Sequence, residues 1–434
     1  MVVLIKTLQV ILALSILVLV HELGHFTFAK LFGVRVEKFY LFFDLGGKAL
    51  FKFKPKNSNT EYGIGWLPLG GYCKISGMVD ESLDSEAMQQ EPQPWEMRTK
   101  PAWQRLLIMF GGVLFNFILA ILVYIGILAG WGESYISNDG REIYVNELSY
   151  ELGFRNGDHI ISFDDVKPTD FGMLQADLAR NDVRKATILR DGDTLSLYID
   201  QSRVGDMLNT PGMFTLAFPF VIDTIPPTSP NFEAGLCKGD RIVSIDGQEV
   251  RFTQDSRPIL AEHKGETVSA TIVRNDDSLQ FNLQVDSTGR FGVYTAMPEI
   301  STKDYSLWTA IPAGFVKTFT TIGDYLKDLK LVFTPHTEAY KSVGSFISIG
   351  QVFPAKWNWF AFLNILALLS IMLGVMNLIP IPGLDGGHIV FLLYEMITRR
   401  KPSDKFMWVM QIIGMVLLLM LMILAFGNDI ARLL

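Results

Sequence analysis

The feature that most constrains this chain is a set of four apolar stretches, each long enough to cross a lipid bilayer. A helix needs about 20 predominantly apolar residues to span the hydrocarbon core. The stretches cover residues 7–29, 106–132, 357–384 and 406–427 of the 434-residue chain. They predict a polytopic α-helical membrane protein with four transmembrane helices. Lys6 precedes the first stretch as in a signal peptide, but no small-x-small cleavage site follows, so we expect the stretch to be retained.

The charges between the stretches predict the orientation of the chain. The segment between the first two stretches holds 11 Lys and Arg against 9 Asp and Glu, whereas residues 131–356 hold 21 against 31. Because basic loops stay in the cytoplasm, the short loops are expected to be cytoplasmic and residues 131–356 and both termini external. The net charge of −7 offers no general basic field for nucleic acid, and two cysteines exclude a disulfide scaffold.

The long external segment contains a tandem repeat. The frame G-φ-x-x-G-D-x-I-φ-S-φ-D, with φ an apolar residue, begins at Gly153 and again at Gly235, and alternating strand-like runs follow each copy. The frame resembles that of the PDZ domain, although Asp165 stands in the first copy where glycine is usual. We therefore expect two PDZ-like β-rich domains, at residues 131–205 and 211–298. Either they bind peptides by strand addition, or they only gate access or fill space.

Residues 301–356 follow these modules and include apolar residues at helical spacing from Ser306 to Val332. The spacing predicts an amphipathic helix. It would lie on the outer membrane face or pack on the modules.

The first apolar stretch, within a predicted domain of residues 1–130, carries an HExxH motif from His21 to His25. On a helix, His21 and His25 share a face and can bind one Zn²⁺, while Glu22 can act as the general base. Polar groups in a membrane span are costly, which indicates a function. The alternative is that the histidines lie at the membrane interface and face the loops.

A catalytic zinc site normally has three protein ligands. The strongest candidate for the third is Asp385, which ends the third stretch within the predicted domain of residues 357–434. The first and third spans run in the same direction, so HExxH and Asp385 are expected on the same side of the membrane. Asp385 could instead cap a helix end. Four histidines outside the motif are weaker candidates: His159, His263, His336 and His388.

The sequence around Asp385 favours a break in the helix. Pro380 and Pro382 cannot continue a helix, and Gly386 and Gly387 allow a close approach of the backbone. Irregular backbone at membrane depth is tolerated only where it is buried in protein or lines a wet cavity. A hydrolytic site needs such a cavity.

HExxH in a first span, N-x-x-P-x-P-x-L-D-G from Asn377 in a third, and PDZ-like modules between spans two and three resemble the site-2 protease family of intramembrane zinc metalloproteases. The resemblance covers nearly the whole chain. It implies a zinc endopeptidase that cuts transmembrane segments, with one Zn²⁺ per chain and Glu22 as the base. It also implies that Asn377 and Pro380 hold the substrate. The implied zinc ligands are His21, His25 and Asp385.

The resemblance further implies a place and partners for the protein. The place is the inner membrane of a bacterium, with the active site toward the cytoplasmic side. The implied substrates are single-span membrane proteins, such as an anti-sigma factor in envelope stress signalling, and remnant signal peptides. The modules would act as a size filter that excludes substrates until their external domains have been trimmed.

Two further segments match the family. Residues 47–76 resemble its re-entrant β loop, whose edge would pair with substrate through Gly63 and Gly65. Gly111, Gly112 and Asn116 match a second-span motif in which proline is common at the position of Gly112. Asn116 would contact substrate, or the motif would serve only helix packing.

The rival interpretation is a membrane protein that binds metal without catalysis, such as a transporter, or a scaffold that carries PDZ-like modules. A transporter should show a polar path across several spans, but the second and fourth stretches offer little beyond Asn116 and Gln411. A scaffold would not need Glu22 beside His21. Both alternatives are therefore disfavoured.

Overall fold

The computed structural model describes residues 1–78 and 91–433. The chain divides into two compact units. The first comprises Met1–Glu133, Asp304–Phe333 and Tyr340–Leu434, and the second comprises Ser134–Lys303 and Thr334–Ala339.

The helices, in chain order, are α1 (Val2–Leu31), α2 (Ala102–Trp131), α3 (Glu147–Glu151), α4 (Leu174–Arg180), α5 (Val204–Asn209), α6 (Ser256–Glu262), α7 (Leu307–Val332), α8 (Phe346–Val352), α9 (Trp359–Leu378), α10 (Asp385–Thr398) and α11 (Asp404–Leu433). The strands are β1 (Val36–Phe43), β2 (Ala49–Phe53), β3 (Glu61–Gly65), β4 (Leu67–Ile75), β5 (Glu133–Tyr135), β6 (Glu142–Val145), β7 (His159–Phe163), β8 (Lys185–Arg190), β9 (Asp193–Tyr198), β10 (Phe214–Ala217), β11 (Phe220–Thr224), β12 (Arg241–Ile245), β13 (Gln248–Glu249), β14 (Thr267–Arg274), β15 (Asp277–Gln284), β16 (Tyr294–Thr295) and β17 (Ser301–Lys303).

The four apolar stretches are helical, which confirms the prediction of four candidate spans. By length and composition, α1, α2, α9 and α11 could each cross a membrane. The third candidate span, α9, is shorter than its apolar stretch, because the helix ends at Leu378 and Ile379 is extended. Pro380 disfavours helical backbone at the residue before it, so the break lies where the prolines predict it.

A four-stranded sheet lies between α1 and α2 in the sequence, with the strand order β2-β3-β1-β4. It occupies the segment expected to form the re-entrant loop. Gly63 lies in an inner strand and pairs with Tyr40 on one side and Lys52 on the other. Gly63 and Gly65 therefore do not form an open edge, and the expected strand pairing between them and a substrate is corrected. Their lack of side chains instead makes room for neighbours, since a Cβ on Gly65 would lie 2.6 Å from the carbonyl oxygen of Phe42.

The predicted amphipathic helix is α7, and it packs against α2 of the same unit. Its contact face consists of small residues, and a Cβ on Gly314 would lie 3.0 Å from the backbone nitrogen of Ile125. Several large apolar side chains of α7 remain exposed, among them Trp308 at 80% and Phe319 at 63%. Neither predicted location of α7 included this packing on a spanning helix. The apolar spacing identified the helix but not its contact face, because small residues allow the closer approach.

The second unit contains the tandem repeat, and the two copies share a buried ion pair. Asp158 and Asp240 occupy the same position of the frame, and both are fully buried. Arg190 donates to both carboxylate oxygens of Asp158, and Arg274 does the same to Asp240, at 2.7–2.8 Å. Burial alone would raise the pKa of Asp240, but hydrogen bonds from Arg274 and the backbone N–H of Cys237 outweigh it and lower that pKa. The Asp of the frame is thus a structural residue in both copies.

The boundary between the copies lies later than the sequence indicates. Strand β10 pairs antiparallel with β6 of the first copy, from Phe214 opposite Val145 to Ala217 opposite Glu142. Residues 214–217 therefore complete the first copy rather than begin a second domain at residue 211. The sheet of the second copy begins with β11 and has the order β15-β14-β12-β11-β16. No local signal predicts this strand pairing, because it joins segments about 70 residues apart.

Candidate active site

Helix α1 places the HExxH residues in the interior of the first unit. His21 and His25 are 8% and 7% exposed, and their rings meet edge to face with centroids 4.9 Å apart. Glu22 occupies the next position after His21 and is half-buried. The helical spacing of four residues thus directs both imidazoles into one buried space, as the motif predicts.

Asp385 reaches the same space from the turn between α9 and α10. A Cβ on Gly386 would lie 2.5 Å from the carbonyl oxygen of Leu378, and one on Gly387 would lie 2.7 Å from that of Ile381, so the turn requires both glycines. Asp385 is the first residue of α10, and its side chain forms no cap on that helix. The alternative role as a helix cap is therefore not supported.

The three side chains form a nearly equilateral arrangement of possible ligand atoms. Nε2 of His21 lies 3.3 Å from Nε2 of His25, and each lies 3.3 Å from Oδ2 of Asp385. A tetrahedral ion bound at about 2.0–2.1 Å would separate its ligand atoms by roughly 3.3 Å. Oδ2 of Asp385 is buried and accepts no hydrogen bond of good geometry from a described residue. The donor set and its spacing therefore fit one zinc ion.

The Nδ1 atoms of both imidazole rings, which point away from Asp385, also have polar partners. Nδ1 of His25 lies 2.8 Å from the carbonyl oxygen of Ile108, and Nδ1 of His21 lies 3.1 Å from Nδ2 of Asn116. A metal-binding histidine typically donates its second ring N–H to an acceptor, as Nδ1 of His25 does to the carbonyl oxygen of Ile108. The carbonyl of Ile108 carries no sequence signal, so sequence reasoning missed it.

Helix α2 approaches α1 very closely beside the histidines. A Cβ on Gly111 would meet the backbone of Gly24, and one on Gly112 would lie 2.6 Å from Cε1 of His21. The glycine pair thus serves helix packing, one of the two roles left open for this motif, and it also borders the imidazole rings of His21 and His25. Consecutive glycines in an apolar span are the signal that could have predicted this approach.

The remaining candidate residues differ in how far they are exposed to solvent. Nδ2 of Asn377 is 3.4 Å from Nε2 of His21, while Pro380 is exposed in the turn. Asn116 is 0% exposed, so the expected contact with substrate is corrected to a contact with His21.

Two of the four alternative third ligands have other partners. Among the described residues, the one group of three His, Cys, Asp or Glu with ligand atoms within 4.8 Å of one another is His21, His25 and Asp385. His159 faces the carbonyl oxygen of Arg141, and His263 faces Glu266.

Comparison with known proteins gives matches along nearly the whole chain. The model of Peptidase family M50 matches residues 9–421. The regulator of sigma-E protease RseP of Escherichia coli is 29% identical over 98% of each chain, and that of Salmonella typhimurium matches equally well. A protein of Clostridium perfringens, named as a candidate zinc metalloprotease, is 29% identical over 97% of each chain.

Proposed function

The chain belongs to peptidase family M50 and is a zinc-dependent site-2 protease, and from this premise we propose that it cuts transmembrane segments of other membrane proteins. The observation that carries the proposal is the 3.3 Å triangle of His21, His25 and Asp385 within a unit that contains the candidate spans. These three residues would hold one Zn²⁺, and Glu22 would be the catalytic base. The rival interpretations as a transporter or a scaffold do not account for the family.

The chemistry divides between the ion and the protein. When bound, Zn²⁺ would polarise the scissile carbonyl and make water more acidic. Glu22 takes a proton from the attacking water and passes it to the leaving amide nitrogen as the C–N bond breaks. The hydroxyl oxygen stays on the carbonyl carbon, so the products are a carboxylic acid and an amine. Asn377 lies beside His21 and would donate a hydrogen bond to the carbonyl oxygen as charge develops there.

A helical substrate must unwind before it can be cut, since helical hydrogen bonds and side chains shield its peptide bonds. Strand β4 is an edge strand of its sheet. It runs along α1, where a Cβ on Gly71 would lie 2.8 Å from Cγ1 of Val18, three residues before His21. We expect the unwound segment to pair with β4, so that β4 takes the role first expected of Gly63 and Gly65. Pro380, exposed in the turn, would contact the same segment.

The proposal predicts where the cut falls and what it requires. The purified protein in liposomes should cut a single-span substrate inside its apolar stretch, as located by mass spectrometry of the products. A chelator should abolish the cut and added zinc should restore it, whereas an Asp385→Ala variant should not recover because it lacks one ligand. A cut outside the apolar stretch, or one that resists chelation, would refute the proposal.

The setting and partners extend the same proposal. We propose a place in the bacterial inner membrane, which the bacterial origin of the relatives supports. The charges of the loops support an orientation with the second unit and both termini external and the site toward the cytoplasmic side. The name of the RseP relatives supports an anti-sigma factor as substrate, and remnant signal peptides are further single-span candidates.

The two modules are proposed to be PDZ-like domains that limit the size of substrates. Their repeated Asp–Arg pairs support a common fold for both copies. If they form a size filter, removal of residues 134–303 should allow substrates with intact external domains to be cut as fast as trimmed ones. The measurement is the ratio of the two cleavage rates in liposomes, with the full chain as control. An unchanged preference for trimmed substrates would count against the filter.

A further inference from the structure

Asn116 faces the imidazole of His21 on the side away from Asp385. Its side chain is 0% exposed, and its Nδ2 lies 3.1 Å from Nδ1 of His21. The hydroxyl of Ser370 donates to the backbone carbonyl of Asn116 at 2.7 Å, which joins α9 to α2 at this level. The carboxamide is therefore held next to a ring that the proposed function assigns to zinc.

The proton on His21 decides whether that ring can bind a metal. A neutral imidazole carries its proton on one nitrogen and a lone pair on the other. His25 faces the carbonyl oxygen of Ile108, which can only accept, so its proton lies on Nδ1 and Nε2 is left with a lone pair. His21 faces a carboxamide, which can either donate or accept. The two rings of the site are thus controlled by different kinds of partner.

The orientation of the carboxamide selects between two states of His21. With Nδ2 of Asn116 toward the ring, Nδ1 must accept, so the proton lies on Nε2 and that atom cannot bind a metal. A half-turn about the Cβ–Cγ bond exchanges two groups of nearly equal size. It would present Oδ1, which is buried and has no hydrogen-bond partner among the described residues. Oδ1 would then accept from Nδ1–H and leave the Nε2 lone pair directed at His25 and Asp385.

We infer that Asn116 is a positioning residue that prepares His21 for zinc, its Oδ1 accepting the Nδ1–H of His21 when Nε2 binds the ion. The inference rests on the proposed function, because it assigns a task to Asn116 only if His21 is a ligand. The imidazole is neutral in both states, so this rearrangement itself neither takes up nor releases a proton. Outer partners of this kind typically contribute 10- to 100-fold to metal affinity.

The test measures zinc affinity rather than cleavage. All variants are made in a Glu22→Gln background, and zinc binding to the purified full chain is followed by competition with a chromophoric chelator. Asn116→Leu, which keeps the volume and removes the acceptor, should lower the affinity about 10- to 100-fold. Asn116→Asp, which can only accept, should keep or raise it. Asn364→Leu is the matched control, because that amide lies on α9 and donates to the carbonyl of Phe360.

The outcomes separate the inference from its premise. A purely structural Asn116 predicts the reverse order, in which Leu is tolerated and a buried carboxylate is not. Leu within threefold of the parent affinity, or Asp as weak as Leu, would overturn the inference. Asp385→Ala in the same background tests the premise, since unchanged zinc binding there would refute the site itself.

Discussion

Replacing Glu22 by Gln is expected to reduce cleavage of a single-span substrate by about 10²- to 10⁴-fold, the usual contribution of a general base. The amide is close in size to the carboxylate but cannot take a proton from water. Because Glu22 is not one of the three clustered ligand residues, zinc content should stay at one ion per chain. Cleavage is measured in liposomes as product per enzyme, and zinc by mass spectrometry of the purified protein.

Two comparisons make the Glu22 result specific. Glu22→Asp retains a carboxylate on a shorter side chain and should keep part of the activity. Loss of both zinc and activity in the Glu22→Gln variant would instead point to a structural role for Glu22. Unchanged cleavage in Glu22→Gln would remove Glu22 from the mechanism.

Adding a single methyl group at Gly112 is expected to disable the site almost as fully, although proline is common at this position in the family, because in this chain the two histidine rings fill the space that a Cβ would need. The Cβ of Gly112→Ala would press on Nε2 of His25 and lie 2.6 Å from Cε1 and 2.9 Å from Nδ1 of His21. These rings are buried and held from behind by Ile108 and Asn116, so they cannot yield without leaving the 3.3 Å arrangement. A misplacement near 1 Å can cost about 100-fold in rate, and we expect at least that loss together with weaker zinc binding.

The same helix supplies matched controls for Gly112. A Cβ on Gly126 or Gly130 would have no atom within 4 Å among its described neighbours. Alanine there should leave cleavage unchanged and, since alanine favours helix over glycine by up to about 1 kcal/mol, should not destabilise the protein. Normal zinc content and cleavage in Gly112→Ala would show that the rings have more freedom than the packing implies.

The sequence predicted the parts of this protein that depend on local pattern. The lengths of the apolar stretches predicted the spans, and the HExxH motif predicted that His21 and His25 lie together. The prolines predicted the break in the helix before Asp385. Asp385 itself was favoured because spans one and three run in the same direction, a relation that topology supplies without any distance information. Each of these inferences uses spacing along one helix or the order of helices in a bilayer.

The remaining features depend on contacts between distant segments. The place of Gly63 inside the sheet follows from the order β2-β3-β1-β4, in which β3 and β1 pair in parallel, and no periodicity encodes that order. The contact of Asn116 with His21 joins residues on two different helices. Hydropathy does not predict that α7 packs through its small residues, because the large apolar side chains beside them dominate the pattern.

The separation of the clustered residues along the chain has a consequence for biosynthesis. His21 and His25 emerge from the ribosome with the first helix, whereas Asp385 emerges only after both modules and α9 have been made. A nascent chain, or one that ends before Asp385, therefore holds two of the three clustered residues and none of the turn that brings in the third. The proposed zinc site can therefore form only when insertion of the chain is nearly finished.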